Sequence, residues 1–163
     1  MLLEKYNQLL EALVVQLKLF YGERLTSAAV FGSVGRQMPN YHSDIDILII
    51  AEELPVGRIK RVAEFEFVEK KMEDLIESLK DFGINTYLSP VIKSKDEVIA
   101  GSPLFLDMTV DAKILYDKGD FFATVLNGLR KRLSELGSKR IFRGNAFFWD
   151  LKPDYKPYED ITI

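Results

Sequence analysis

Two aspartates separated by one residue, Asp44 and Asp46, open an apolar run that continues Ile-Leu-Ile-Ile to Ile50. If that run is a strand, alternate side chains share a face, so the two carboxylates project side by side. Such a pair repels itself and is costly beside a core unless a cation sits between its members. Mg²⁺ is the natural candidate, because hard cations take oxygen ligands and Mg²⁺ commonly uses one or two carboxylates together with substrate phosphates. Upstream, Ala28-Ala-Val-Phe31 ends in Gly32-Ser33. A glycine there lets backbone approach a phosphate, and a helix opening after it offers free N–H groups and a positive dipole end. Other phosphate loops fit less well. No Lys follows Gly35, as a Walker loop requires, and Gly32-Ser-Val-Gly35 lacks the basic residues of an RNA-clamping GxxG loop. A plain surface turn, with an Asx cap at Asp44 and Asp46 on an edge strand, runs against the scarcity of Asp in strands.

Taken together, Gly32-Ser33, the interval 34–43 and Asp44-Ile-Asp46 resemble the signature of the minimal nucleotidyltransferases of the DNA polymerase beta-like superfamily, its small antitoxin-type members included. The flanks agree: an apolar strand before Gly32, Arg36 after it, and Ser43 just before the first Asp. The resemblance implies an α/β (α+β) fold, a mixed sheet packed with helices. It implies Mg²⁺ on Asp44 and Asp46, the phosphates of ATP or another NTP on Gly32, Ser33 and Arg36, and transfer of NMP to an acceptor hydroxyl. The alternative within the same resemblance is a nucleotide-binding antitoxin-type module with weak or no turnover, acting with a small helical partner protein.

The family pattern also includes a third carboxylate, on a strand after the long helix. The corresponding strand, expected over Ile84–Ile92, contains no Asp or Glu. Its faces read Ile84, Thr86, Leu88, Pro90 and Asn85, Tyr87, Ser89, Val91. Asn85 or Ser89 can touch a metal-bound water, but neither serves as a general base near neutral pH. The nearby acids are Asp107 and Asp111, in Leu104-Phe-Leu-Asp-Met-Thr-Val-Asp. Asp107 is the first candidate for a third catalytic carboxylate and Asp111 the second. The strand itself favours a site without one, and hence slow turnover or an acid supplied by a partner.

The elements that must position these residues follow from periodicity. Leu3, Tyr6, Leu10, Leu13, Val14, Leu17 and Phe20 make one stripe of a helix over 2–21 that Gly22 stops. A strand over 25–31, a short helix from Ser33 to Met38 and the Asp44 strand come next. A long helix over 58–82 carries Val68, Met72, Leu75, Ile76 and Leu79 and ends at Gly83. After the 84–92 strand, whose Pro90 suggests an edge or a bulge, residues 93–100 form a turn and short helix. Leu104–Val110 is ambiguous between helix and strand, Ala112–Tyr116 is a strand, and Phe122 to Leu136 mark a last helix. Residues 1–118 are expected to form the core, with 119–163 a helix and extended tail packed on it. Arg130, Lys131, Arg132, Lys139, Arg140 and Arg143 read as a solvated helix end in preference to a phosphate clamp. Phe147-Phe148-Trp149 reads as an anchor for the tail, and His42 as a turn residue.

At 163 residues one domain is the default, and 47% apolar with 29% charged residues is ordinary globular composition. The net charge of −3 disfavours broad attraction to nucleic acid. Without cysteine there is no disulfide or thiolate metal site. Neither a basic, apolar leader nor an apolar run of about 18 residues is present, so no membrane partner and a cytoplasmic location are expected.

Overall fold

The computed structural model describes residues 1–163. Helix α1 (Leu2–Tyr21) buries Tyr6, Leu9, Leu10, Leu13, Leu17 and Tyr21, leaving Leu3, Val14 and Phe20 half-buried at the margin of the stripe. Strand β1 (Leu25–Phe31) leads into the single turn α2 (Gly32–Gly35), and β2 (Ile45–Ala51) follows. The long helix α3 (Arg58–Ser78) tightens into a 3₁₀ turn over Leu79–Phe82 and stops at Gly83, which adopts φ 76°. Then come β3 (Leu88–Lys93), α4 (Lys95–Ala100), α5 (Leu104–Asp111), β4 (Lys113–Asp117), α6 (Phe121–Leu136) and the hairpin β5 (Lys139–Arg143) with β6 (Ala146–Asp150).

The main sheet has the order β3-β2-β1-β4. β1 is antiparallel to both β2 and β4, whereas β2 and β3 are parallel, the crossover between them being made by α3. This is the mixed α+β sheet expected. Ala28 and Val30 with Ile45, Ile47 and Ile49 face α1 and α3, where Phe65, Val68 and Met72 close the larger core. Ala29, Leu48 and Ile50 face the other way, against Val98 of α4, Phe105 and Met108 of α5, and Phe122 and Leu126 of α6. Covered on both faces, β2 is buried almost throughout, which is why it reads as a continuous apolar run once past its aspartates. No helix is long and apolar enough to cross a membrane.

Four elements differ from the expectation, the first being the short helix expected from Ser33 to Met38, which is only the turn Gly32–Gly35. The third strand begins at Leu88, not Ile84, because the backbone of Asn85 donates to the Tyr41 carbonyl (2.8 Å) ahead of the ladder. The ambiguous 104–110 run is helical, with Phe105, Met108 and Thr109 buried at helical spacing. Residues 139–150 form an antiparallel hairpin in place of a helix end and tail, with Lys139 opposite Asp150 and Arg143 opposite Ala146. Its turn is Gly144-Asn145, with Gly144 at φ 63°, a two-residue hairpin signal of the ordinary kind.

Candidate active site

Asp44 immediately precedes β2 and Asp46 lies within it, on the face of Leu48 and Ile50. The helices covering that face bury Leu48 and Ile50 but leave Asp44 and Asp46 half-exposed at the sheet's end. Asp46 pairs in register with Phe31 of β1 on one side and with Ser89 of β3 on the other. Burial, and then the neighbouring Asp44 charge, push the Asp46 carboxyl above its ordinary range, against a smaller lowering by the Ser89 hydroxyl. Tyr87 stands beside Asp44, and its phenol is pushed up by its hydrogen bond to that carboxylate and by the charges of Asp44 and then Asp46.

The Gly32-Ser33 corner reaches the same place from β1. Gly32 adopts φ 64°, and a β-carbon there would lie 2.7 Å from Asp46 Oδ2. A glycine is therefore required twice, for its left-handed backbone and for the passage of that backbone against the carboxylate. Gly35 closes α2 against the end of α5, where a β-carbon would overlap the Asp111 carbonyl oxygen and lie 2.7 Å from the Val30 carbonyl. The Ser33 hydroxyl donates to Ser43 Oγ (2.9 Å), which also accepts the Asn40 N–H (2.8 Å). The Ser43 carbonyl accepts from the Tyr6 hydroxyl (2.8 Å) and from Thr86 Oγ1 (2.7 Å). The turn before Asp44 is thus tied to α1 on one side and to the lead into β3 on the other. Tyr6 and Thr86 are positioning residues that a local reading of the motif does not find.

Arg36 follows α2, and its guanidinium pairs with Asp111 at 3.1 Å. Arg140 of β5 pairs with the other oxygen of Asp111 at 3.2 Å, which joins the hairpin through Arg36 to the Gly32-Ser33 corner. Asp107 accepts the Trp149 indole N–H at 2.9 Å. No group of three His, Cys, Asp or Glu side chains is arranged to hold a metal ion, so neither acid of α5 stands as a third ligand with Asp44 and Asp46. Ser89 occupies the β3 position opposite Asp46. Asn85, the other polar candidate of this segment, is exposed and directs its amide to the Gly83 carbonyl. The basic run is spread over structural tasks: Arg130 bonds the Thr109 carbonyl and Arg132 the Thr162 carbonyl. His42 is exposed in the turn.

The family model described as "Nucleotidyltransferase domain" matches residues 10–100, the stretch that contains Gly32, Ser33, Asp44, Asp46 and Ser89. A candidate protein adenylyltransferase of Methanocaldococcus jannaschii is 28% identical over 148 residues, covering 89% of this chain and 93% of the relative. Among solved structures, a spectinomycin adenyltransferase from Enterococcus faecialis, crystallised with ATP and spectinomycin, has the same fold, with a TM-score of 0.54 and 14% identity over 80% of this chain and 66% of its own. A toxin-antitoxin crystal structure with AMP-PNP aligns at a TM-score of 0.46 with 17% identity, covering 78% of this chain and 92% of that one.

Proposed function

The chain belongs to the nucleotidyltransferase domain family and is a nucleotidyltransferase, and from that premise we propose that it moves AMP from ATP to a hydroxyl of a protein acceptor. The observation that carries this reading is the meeting of Asp44, Asp46 and the Gly32 backbone at one open end of the sheet. The choice of AMP and of a protein acceptor is supported by the relative named as a candidate protein adenylyltransferase.

In this reading Asp44 and Asp46 hold Mg²⁺. The donor set fits: two half-exposed carboxylates with no third acid leave coordination positions for phosphate oxygens and water, as Mg²⁺ prefers. The crowding that raises the Asp46 carboxyl is what a cation between the pair offsets. When bound, Mg²⁺ supplies neutralising charge for the phosphates and the leaving pyrophosphate. Ser33 and the first N–H groups of α2, which lack intrahelical partners, face the β- and γ-phosphates. Arg36 adds a cation there by sharing itself between Asp111 and phosphate. Ser89 orients the Asp46 carboxylate, and Tyr6 and Thr86 hold the turn that presents Asp44. With Ser89 where an acid would assist deprotonation of the acceptor, turnover by the isolated chain is slow.

The test is incubation with Mg²⁺ and labelled ATP, GTP, CTP or UTP, with and without lysate of the source cells, followed by mass analysis. An adenylyl group on a protein, lost with Asp46→Asn, is the expected result. Label confined to a small molecule or to RNA overturns the acceptor class, and no ATP binding overturns the site.

A further inference from the structure

A tyrosine stands beside the carboxylate pair. Ile45 pairs with Leu88 and Asp46 with Ser89 in parallel register, so Tyr87 is the β3-side neighbour of Asp44. Neighbours in register lie about 5 Å apart on one face of a sheet. The backbone of Tyr87 is fixed, since its carbonyl accepts the Ile45 N–H at 2.9 Å. Its side chain is not buried: Tyr87 is 60% exposed and lies on the Asp44 face of the sheet. The two tyrosines of α1 have no such freedom. Tyr6 and Tyr21 are buried, and the Tyr6 hydroxyl is taken by main-chain carbonyls. A rigidly anchored backbone carrying a solvent-accessible phenol in front of the carboxylate pair has the layout of an acceptor.

We propose that Tyr87 is a self-adenylylation site. This rests on the AMP-transfer reading above. The Tyr87 phenolic oxygen attacks the α-phosphorus of ATP held at the Gly32-Ser33 corner. An oxygen–phosphorus bond forms, the bond from the α-phosphorus to the bridging oxygen breaks, and pyrophosphate leaves with that electron pair. The phenolic proton passes to solvent water. The product, adenylyl-tyrosine, occupies the acceptor side of the carboxylates. Each chain therefore accepts one AMP, and an outside acceptor competes with Tyr87 for the first transfer.

The purified full chain is incubated with Mg²⁺ and ATP, then analysed by intact mass and by peptide mapping, with pyrophosphate release measured in parallel. Expected are one adenylyl group per chain, mapped to Tyr87, an equal amount of pyrophosphate, and loss of the adduct in Tyr87→Phe. Mapping on the unmutated chain makes the assignment independent of whether that variant folds. An adduct at another residue overturns the proposal. So does an unmodified chain that nonetheless transfers AMP to a protein in source-cell lysate, and there the AMP-transfer reading survives. If the chain neither modifies itself nor transfers AMP to anything, the functional reading falls and the proposal falls with it.

Discussion

Gly32, the residue after β1, lies against Asp46 of β2: a β-carbon on residue 32 would come within 2.7 Å of Asp46 Oδ2. The contact joins the two halves of the motif, the corner proposed to receive phosphate and the strand that carries the acids. It also separates two kinds of damage. A substitution at 32 strains its own backbone, held at φ 64°, and swings the one carboxylate that faces it.

Gly32→Ala is accordingly expected to lower stability by only about 1–2 kcal/mol, the cost of a left-handed non-glycine residue. Because the displaced atom is a carboxylate oxygen, ATP affinity in Mg²⁺ falls more steeply, by about tenfold or more. Urea denaturation paired with calorimetric titration checks this. A variant that loses stability while binding ATP normally contradicts the placement of phosphate at this corner.

Asp46→Asn separates function from stability in the opposite direction. Burial and the Asp44 charge raise the Asp46 carboxyl above its ordinary value of 3.8 in the folded chain. Between that value and the raised one, the folded chain binds more protons than the unfolded chain, so wild-type stability falls as pH rises through this window. The amide has no such dependence. In EDTA the variant is expected to melt higher than wild type at neutral pH, the gap closing as pH falls below about 3.8. With Mg²⁺ and ATP present, wild type gains stability and the variant gains little. A gap independent of pH would remove the repulsion on which the metal assignment leans.

These consequences trace to features the sequence displays unequally. Asp44 and Asp46 are legible because a strand's period of two puts them on one face whatever surrounds them, and the turn before them is short enough to require Gly32 beside them. The start of β3 is not legible: Asn85 and Thr86 look like strand residues, and only their bonds to Tyr41 and Ser43 draw them out of the ladder. The run 104–111 fits either period until α6 and the sheet enclose Phe105 and Met108. The hairpin is obscured because Lys139-Arg-Ile-Phe-Arg143 does not alternate, leaving Gly144-Asn145 as its single signal. The partners of Asp107 and Asp111 come from Trp149, Arg36 and Arg140, far away in the chain, and no local pattern announces them.

Asp111→Asn tests that last connection. Asp111 is 4% exposed and bonds Arg36 and Arg140 through different oxygens. Its neutralisation leaves Arg140 nearly buried without a counter-charge, which for a buried pair costs about 3 kcal/mol. Arg140 also lies over the Phe147 ring at 4.3 Å, so the hairpin loosens without detaching entirely. Chemical denaturation gives the loss, and limited proteolysis finds new cleavage within 139–150. Arg36, released from Asp111, remains free for phosphate, so ATP affinity holds or rises. A collapse of ATP affinity in a folded variant would show that Asp111 serves the site directly.

Ser89→Asp asks whether the site lacks only an acid. Ser89 is paired with Asp46 in the ladder and its hydroxyl has a lowering influence on that carboxyl, so an aspartate there places a third carboxylate on the same face. In EDTA the variant suffers, because a hydroxyl that lowers the Asp46 carboxyl is exchanged for a like charge beside an acid already pushed up by burial and by Asp44. Its melting temperature should drop below wild type. Added Mg²⁺ should recover more stability in the variant than in wild type, since a further anionic ligand strengthens cation binding. If the missing acid is what slows the isolated chain, AMP transfer rises as well, by about tenfold or more, at the low end of what a positioned base contributes. Melting scans with and without Mg²⁺, together with transfer rates on one acceptor, read both effects. A variant that melts low, ignores Mg²⁺ and transfers no faster would place the limiting step outside this face, in the acceptor or in a partner chain.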